Sequence, residues 1–141
     1  ATTEIYTKHS GQPIDVVEAA MAAAQAVLDV IVGDGLAEHA VAVGDQWRAE
    51  LRVLAKEYPL LGDIRGTGLY TGIEIVTDPG TKEHDRGTAQ RIVDMMRDNR
   101  VLISVCGGHG NILKVRPPLV FSMADLDWFM TVFSAVVKEL A

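Results

Sequence analysis

The chain has 141 residues, 48% of them hydrophobic, and a formal net charge of -6. That is enough apolar material for one sizeable core and about one domain, while the scattered Lys and Arg, outnumbered by acids, argue against a phosphate-backbone partner, so no nucleic acid is expected. The single cysteine, Cys106, cannot form an internal disulfide, and no basic start followed by an apolar run marks a secretory signal, so a cytoplasmic, reducing setting is expected.

Residues 1–12 are polar and without packing period, which predicts an arm. Pro13 suits the first turn of a helix. From Ile14 to Ile31, Val17, Met21, Ala24, Leu28 and Ile31 recur at helical spacing within an alanine-rich run, and Gly33-Asp34-Gly35 ends the element. The most apolar part, Ala19 to Val32, contains Gln25 and Asp29 and reads as too short for a bilayer, so no membrane partner is expected. A second helix begins near Leu36. Its apolar stripe is Val43, Trp47, Leu51, Leu54 and Tyr58, opposite Asp45, Arg48, Arg52 and Glu57, and Pro59 stops it.

Gly62-Asp63-Ile64-Arg65-Gly66-Thr67-Gly68 then predicts a glycine corner between two strands over 62–77, the second of which mixes Leu69, Ile73 and Ile75 with Tyr70, Thr71, Glu74 and Thr77. Asp78-Pro79-Gly80 turns the chain toward a third helix carrying Ala89, Ile92, Val93 and Met96. Val101 to Val105 and Ile112 to Val115 read as neighbouring strands joined by Cys106-Gly107-Gly108-His109-Gly110-Asn111. Ser122 and Asp125 form a capping-box variant, after which Leu126, Phe129, Met130, Phe133, Val136, Val137 and Leu140 carry a terminal helix. The order predicts an α+β fold: a small, mostly antiparallel sheet of about four strands covered by helices and preceded by a long connector helix.

Two of these stretches resemble class III (fold type I) pyridoxal-phosphate aminotransferases. Residues 62–74, Gly62-Asp63-Ile64-Arg65-Gly66-Thr67-Gly68-Leu69-Tyr70-Thr71-Gly72-Ile73-Glu74, are similar to the phrase that opens the family's small C-terminal domain. Asn111-Ile112-Leu113-Lys114-Val115-Arg116-Pro117-Pro118-Leu119-Val120-Phe121-Ser122 resembles its strand, Pro-Pro-Leu corner and final helix cap. The resemblance runs over residues 13 to 141 and implies that, after the arm at 1–12, a connector helix at 13–34 leads into the small domain at 35–141. It also implies a parent enzyme that moves an amino group between an amine or amino acid and a keto acid, with pyridoxal phosphate bound to a lysine of a large domain missing here.

None of the lysines Lys8, Lys56, Lys82, Lys114 and Lys138 sits in a context suited to that bond, so no catalytic residue and no cofactor contact is assigned to this chain, which alone is expected to be inactive. Family members carry a threonine before a Gly-Gly-Asn-Pro phrase that reaches the cofactor phosphate. Here the stretch is Ser10-Gly11-Gln12-Pro13 and the place falls on Lys8 beside Thr7, so that contact is not carried over. The resemblance points instead to substrate binding by Lys114 and Arg116. The family's carboxylate-binding arginine stands where Lys114 stands, and a lysine there is a point charge that suits phosphate as well as carboxylate. Alternation sets Lys114 and Arg116 on one face, opposite Leu113 and Val115; the plainer reading makes them charges on the wet face of an edge strand. Arg65 reads as a brace of its turn. Cys106 and His109 supply two ligands where a closed zinc site needs four, so no metal is expected.

Two alternatives stand beside the aminotransferase domain: a freestanding α+β binding or regulatory domain, and the small domain of a pyridoxal-phosphate-dependent phospho-lyase. A fragment is expected to carry an unpaired apolar stripe on its first helix and to form a homo-oligomer through it, whereas a self-standing domain would bury that stripe.

Overall fold

A computed structural model describes residues 16–141, so the arm, Pro13 and Ile14 lie outside the described residues. The chain divides into two compact units, Ala1–Leu36 and Ala37–Ala141. The first contains α1 (Val16–Gly33), which buries none of its residues and carries one side-chain bond along its surface, from Gln25 Nε2 to Asp29 Oδ1 at 2.7 Å. At 18 residues and mean hydropathy 1.7 this helix is, by length and composition, long and apolar enough to cross a membrane, which corrects the expectation that the stretch is too short. A rise of about 1.5 Å per residue brings it close to the hydrocarbon thickness.

Beyond α1 the elements are α2 (Leu36–Glu57), β1 (Leu61–Thr67), β2 (Tyr70–Ile75), α3 (Arg86–Asp98), β3 (Ser104–Cys106), β4 (Ile112–Val115) and α4 (Met123–Leu140). The four strands form one antiparallel sheet in the order β1-β2-β4-β3. β1 and β2 are joined by Gly68-Leu69. Gly68 has φ +49° and Leu69 is not left-handed, the pattern of a hairpin turn with glycine at its first central place.

Ile64, Ile73, Ile75, Leu113 and Val115 are buried on one face of the sheet. They share a core with Val43, Trp47 and Leu51 of α2, Ala89, Ile92 and Met96 of α3, and Leu126, Phe129, Phe133, Val136 and Val137 of α4. Truncating a side chain as enclosed as Phe133 costs about 3–5 kcal/mol. The helices end as their sequences dictate. Asp85 caps α3 by accepting from the Thr88 N–H at 2.8 Å, and Ser122 and Asp125 close the full capping box on α4.

Two expectations are corrected. Arg48, placed on the solvated face of α2, is 4% exposed, because Gly44 lets the helix backbone meet the β1–β2 turn and the Gly68 carbonyl there accepts from Arg48 Nη1 at 2.6 Å. Of the run Val101 to Val105, only Ser104 and Val105 belong to β3, which pairs with β4 from Ser104 to Cys106.

Candidate functional site

The register builds the open face of the sheet row by row. Arg65 lies across from Gly72, Gly72 from Lys114, and Lys114 from Ser104, so these four share one row. The next row is Asp63, Glu74, Ile112 and Cys106. Directly paired residues project to the same side, and these rows alternate with the buried ones. The edge-strand reading of Lys114 is therefore corrected: β4 is internal, between β2 and β3.

Because Gly72 has no side chain, the first row leaves a hollow of about 260 Å³ lined by Arg65, Gly66, Tyr70, Gly72, Cys106, Ile112 and Lys114. On its other side Lys114 shares a second hollow, of about 250 Å³, with Arg116, Ser104, Leu102 and Ile103. The two cations singled out in the sequence are thus brought to one hollow.

Their electrostatics differ from Arg65's. Arg65 Nη1 donates to Asp63 Oδ2 at 2.5 Å and to Glu74 Oε2 at 3.4 Å. The Asp63 hydrogen bond raises its pKa above the ordinary guanidinium value; desolvation opposes this, and the Glu74 hydrogen bond adds to it. Lys114 is half-buried and Arg116 exposed, and neither forms an ion pair or side-chain hydrogen bond among the described residues. An anion entering this face meets two unneutralised cations at Lys114 and Arg116 and one already-satisfied cation at Arg65.

The far end of the face is a polar knot that the sequence reading missed. Asn111 is 1% exposed, and its Nδ2 reaches the Ile75 carbonyl at 3.0 Å, His84 Nδ1 at 3.2 Å and Glu74 Oε1 at 3.4 Å. The His84 ring stacks on His109 with centroids 4.0 Å apart. The signal available was Glu74 on the wet side of an alternating strand; nothing local tied it to His84 or Asn111. Cys106 ends β3 and His109 stands in the middle of the following loop, stacked on His84, and no group of three or more His, Cys, Asp or Glu gathers as a metal site among the described residues.

A family model described as aminotransferase class-III matches residues 9–137. The chain belongs to the class III aminotransferase family. It is 34% identical over 139 residues to "Alanine--glyoxylate aminotransferase 2-like" of Drosophila melanogaster, covering 95% of this chain and 27% of that protein. It is 36% identical over 133 residues to "Ethanolamine-phosphate phospho-lyase homolog 1" of Caenorhabditis elegans, again 94% of this chain and 27% of that one. Among solved structures, a phospholyase from Arthrobacter in complex with phosphoethanolamine superposes with TM-score 0.79 at 32% identity, over 83% of this chain and 28% of the other. An amine transaminase from an uncultivated Pseudomonas species in its PLP-bound form superposes with TM-score 0.76 at 29% identity, over 85% and 27%. The chain therefore spans little more than a quarter of the length of the relatives it matches, and its α+β fold is the aminotransferase one over that span.

Pyridoxal phosphate needs an enclosed lysine and a carboxylate for its ring nitrogen. Among the described residues of this class III chain, Lys56, Lys82 and Lys138 are exposed and Lys114 is half-buried on an open face. These residues do not make a pyridoxal-phosphate site by themselves, and no chemical step is assigned to one here.

Proposed function

We propose that this chain is the small domain of a pyridoxal-phosphate-dependent enzyme, one wall of whose active-site cleft is the open face of the sheet, and that the complete enzyme moves an amino group between an amine or amino acid and a keto acid. The cofactor and its lysine belong to the large domain, the chain's principal partner. The observation that carries the reading is the pair Lys114 and Arg116, two cations without counter-ions among the described residues, at one hollow beside the Pro-Pro-Leu corner. Their part is to bind the substrate's anionic group and fix its distance from the reacting carbon, so that binding energy is spent on orientation. Helix α1 is read as packing on the large domain rather than in a membrane, since it lies inside the family match and carries the Gln25–Asp29 pair.

A second reading, a phospho-lyase, is favoured by one specific feature: a lysine at 114, a compact point charge suited to a phosphate dianion, in a chain similar to a phospho-lyase homolog and to a phospholyase holding phosphoethanolamine. Assaying the complete enzyme for phosphate released from phosphoethanolamine, and for amino transfer to a keto acid, separates the two. In either case Lys114→Ala is expected to raise KM for the anionic substrate about tenfold or more, the loss of one charge-assisted contact, with a smaller change in kcat. The chain alone, mixed with pyridoxal phosphate and reduced with borohydride, is expected to show scattered or no labelling by intact mass. One stoichiometric adduct on a single lysine would overturn the small-domain reading.

A further inference from the structure

A third hollow, of about 350 Å³, lies under the Pro117-Pro118 corner and has not been assigned a role. Its volume falls in the range of small-molecule sites. Its apolar walls are Trp47, Phe121, Phe129 and Trp128; Trp47 stacks on Phe121 at 5.3 Å and meets Phe129 edge-on at 4.7 Å. Trp47 is fully buried, yet its indole Nε1 has no hydrogen-bond partner among the described residues, the one buried side-chain donor so placed. That N–H is closed to solvent, so a ligand's body meets the aromatic walls and its polar head must find a donor elsewhere in the lining.

The charges point the same way. Arg100 and Arg116 line the hollow, and neither is ion-paired among the described residues. The one acid in the lining, Asp125, is engaged through Oδ2 by the N–H and hydroxyl of Ser122. Arg100 also holds φ +64° at the end of α3, the left-handed place where glycine is the usual choice. The side chains around the hollow therefore offer two guanidinium groups, with a single carboxylate already occupied.

We propose that this hollow binds an amphipathic carboxylate, with an aromatic or branched body against Trp47, Phe121 and Trp128 and an acceptor-only head answering the guanidinium groups of Arg100 and Arg116. The site adjoins the hollow shared by Lys114 and Arg116, having Arg116, Leu102 and Ile103 in common with it, but does not include Lys114. It stands independently of the proposed enzyme function, because its test needs neither cofactor nor amine.

The test is an NMR titration of the ¹⁵N-labelled chain with 4-phenylbutyrate, read at the two indole N–H resonances. Trp47→Phe assigns them, because Trp128 is the other tryptophan of the chain. A saturable shift of the Trp47 resonance is expected, with acetate and the neutral 4-phenylbutyramide each at least tenfold weaker. Arg100→Gly removes a guanidinium while relieving the left-handed residue, so it keeps the fold and is expected to weaken binding about tenfold. Arg116→Ala, on an exposed side chain, is expected to do the same. A well-dispersed spectrum in which the Trp47 resonance does not move, equal binding of the amide, or unchanged affinity in both arginine variants would each overturn the proposal.

Discussion

Gly44 tests the packing argument most severely. A Cβ built there falls 1.8 Å from the Gly68 carbonyl oxygen and 2.5 Å from its carbon, and both obstacles are backbone in a two-residue hairpin turn that cannot swing aside. Gly44→Ala therefore forces α2 away from the hairpin by more than an ångström. The same movement stretches the 2.6 Å bond from Arg48 Nη1 to the Gly68 carbonyl. Overpacking costs about 1–3 kcal/mol and a lost bond to a charged donor about 1.5–3, so a destabilisation of about 3–5 kcal/mol is expected. Small domains have about 5–15 kcal/mol in all, which leaves the variant close to unfolding at room temperature. Urea titration followed by circular dichroism and tryptophan fluorescence measures it. Gly33→Ala is the control: nothing lies within 4 Å of its added methyl, and α1 should gain helix rather than lose it. If Gly44→Ala unfolds within 1 kcal/mol of the parent chain, the close approach of α2 to the hairpin is refuted.

Arg48→Met should cost about 2–4 kcal/mol in the same titration, since it leaves the Gly68 carbonyl without its donor in a buried place; Arg52→Met, on an exposed side chain, should cost far less. Arg100→Gly should raise stability by about 1 kcal/mol by releasing an L-residue from φ +64°, read as a higher urea midpoint. Ser122→Ala should lower stability by about 1 kcal/mol through the lost cap. The hydrogen bonds from Ser122 hold the Asp125 carboxyl below its ordinary value, and the N–H groups of Thr81 and Gly80 do the same for Asp78. A depressed folded pKa gives stability that is complete above the unfolded carboxyl value near 4 and lost as pH falls through the folded one. Acid unfolding of Asp125→Asn should accordingly show a shallower pH dependence than the parent chain, and an unchanged slope would argue against that bond.

Most of the fold was legible because its signals are local. The stripes Val43, Trp47, Leu51 and Leu126, Phe129, Phe133 are read from helical spacing alone, and all of these residues are buried. The hairpin is written in Gly68, whose backbone freedom the turn requires. What escaped were features made by distant residues. A helical wheel puts Arg48 with Asp45 and Arg52 on the wet side. It cannot register that a glycine one turn earlier, at 44, brings a carbonyl from residue 68 against that side and makes a buried arginine the natural donor. Strand propensity likewise marks Val101 to Val105, but pairing with β4 starts only at Ser104.

The site divides along the same line. Alternation alone placed Lys114 on the face opposite Leu113 and Val115, and the register confirms that face. Whether a cation on a sheet is a ligand group or a solvated charge depends on its neighbours across the strands, and those are set by strand order. With β4 internal, Lys114 faces a glycine on one side and a serine on the other, so its ammonium has room around it and no carboxylate opposite. Arg65, one strand further on the same row, is claimed by Asp63 and Glu74. Similar basic residues within one sheet thus have different prospects: an incoming anion must displace two carboxylates to use Arg65 but only water to use Lys114. That contrast makes Lys114, rather than Arg65, the cation whose removal should be felt when an anion binds this face.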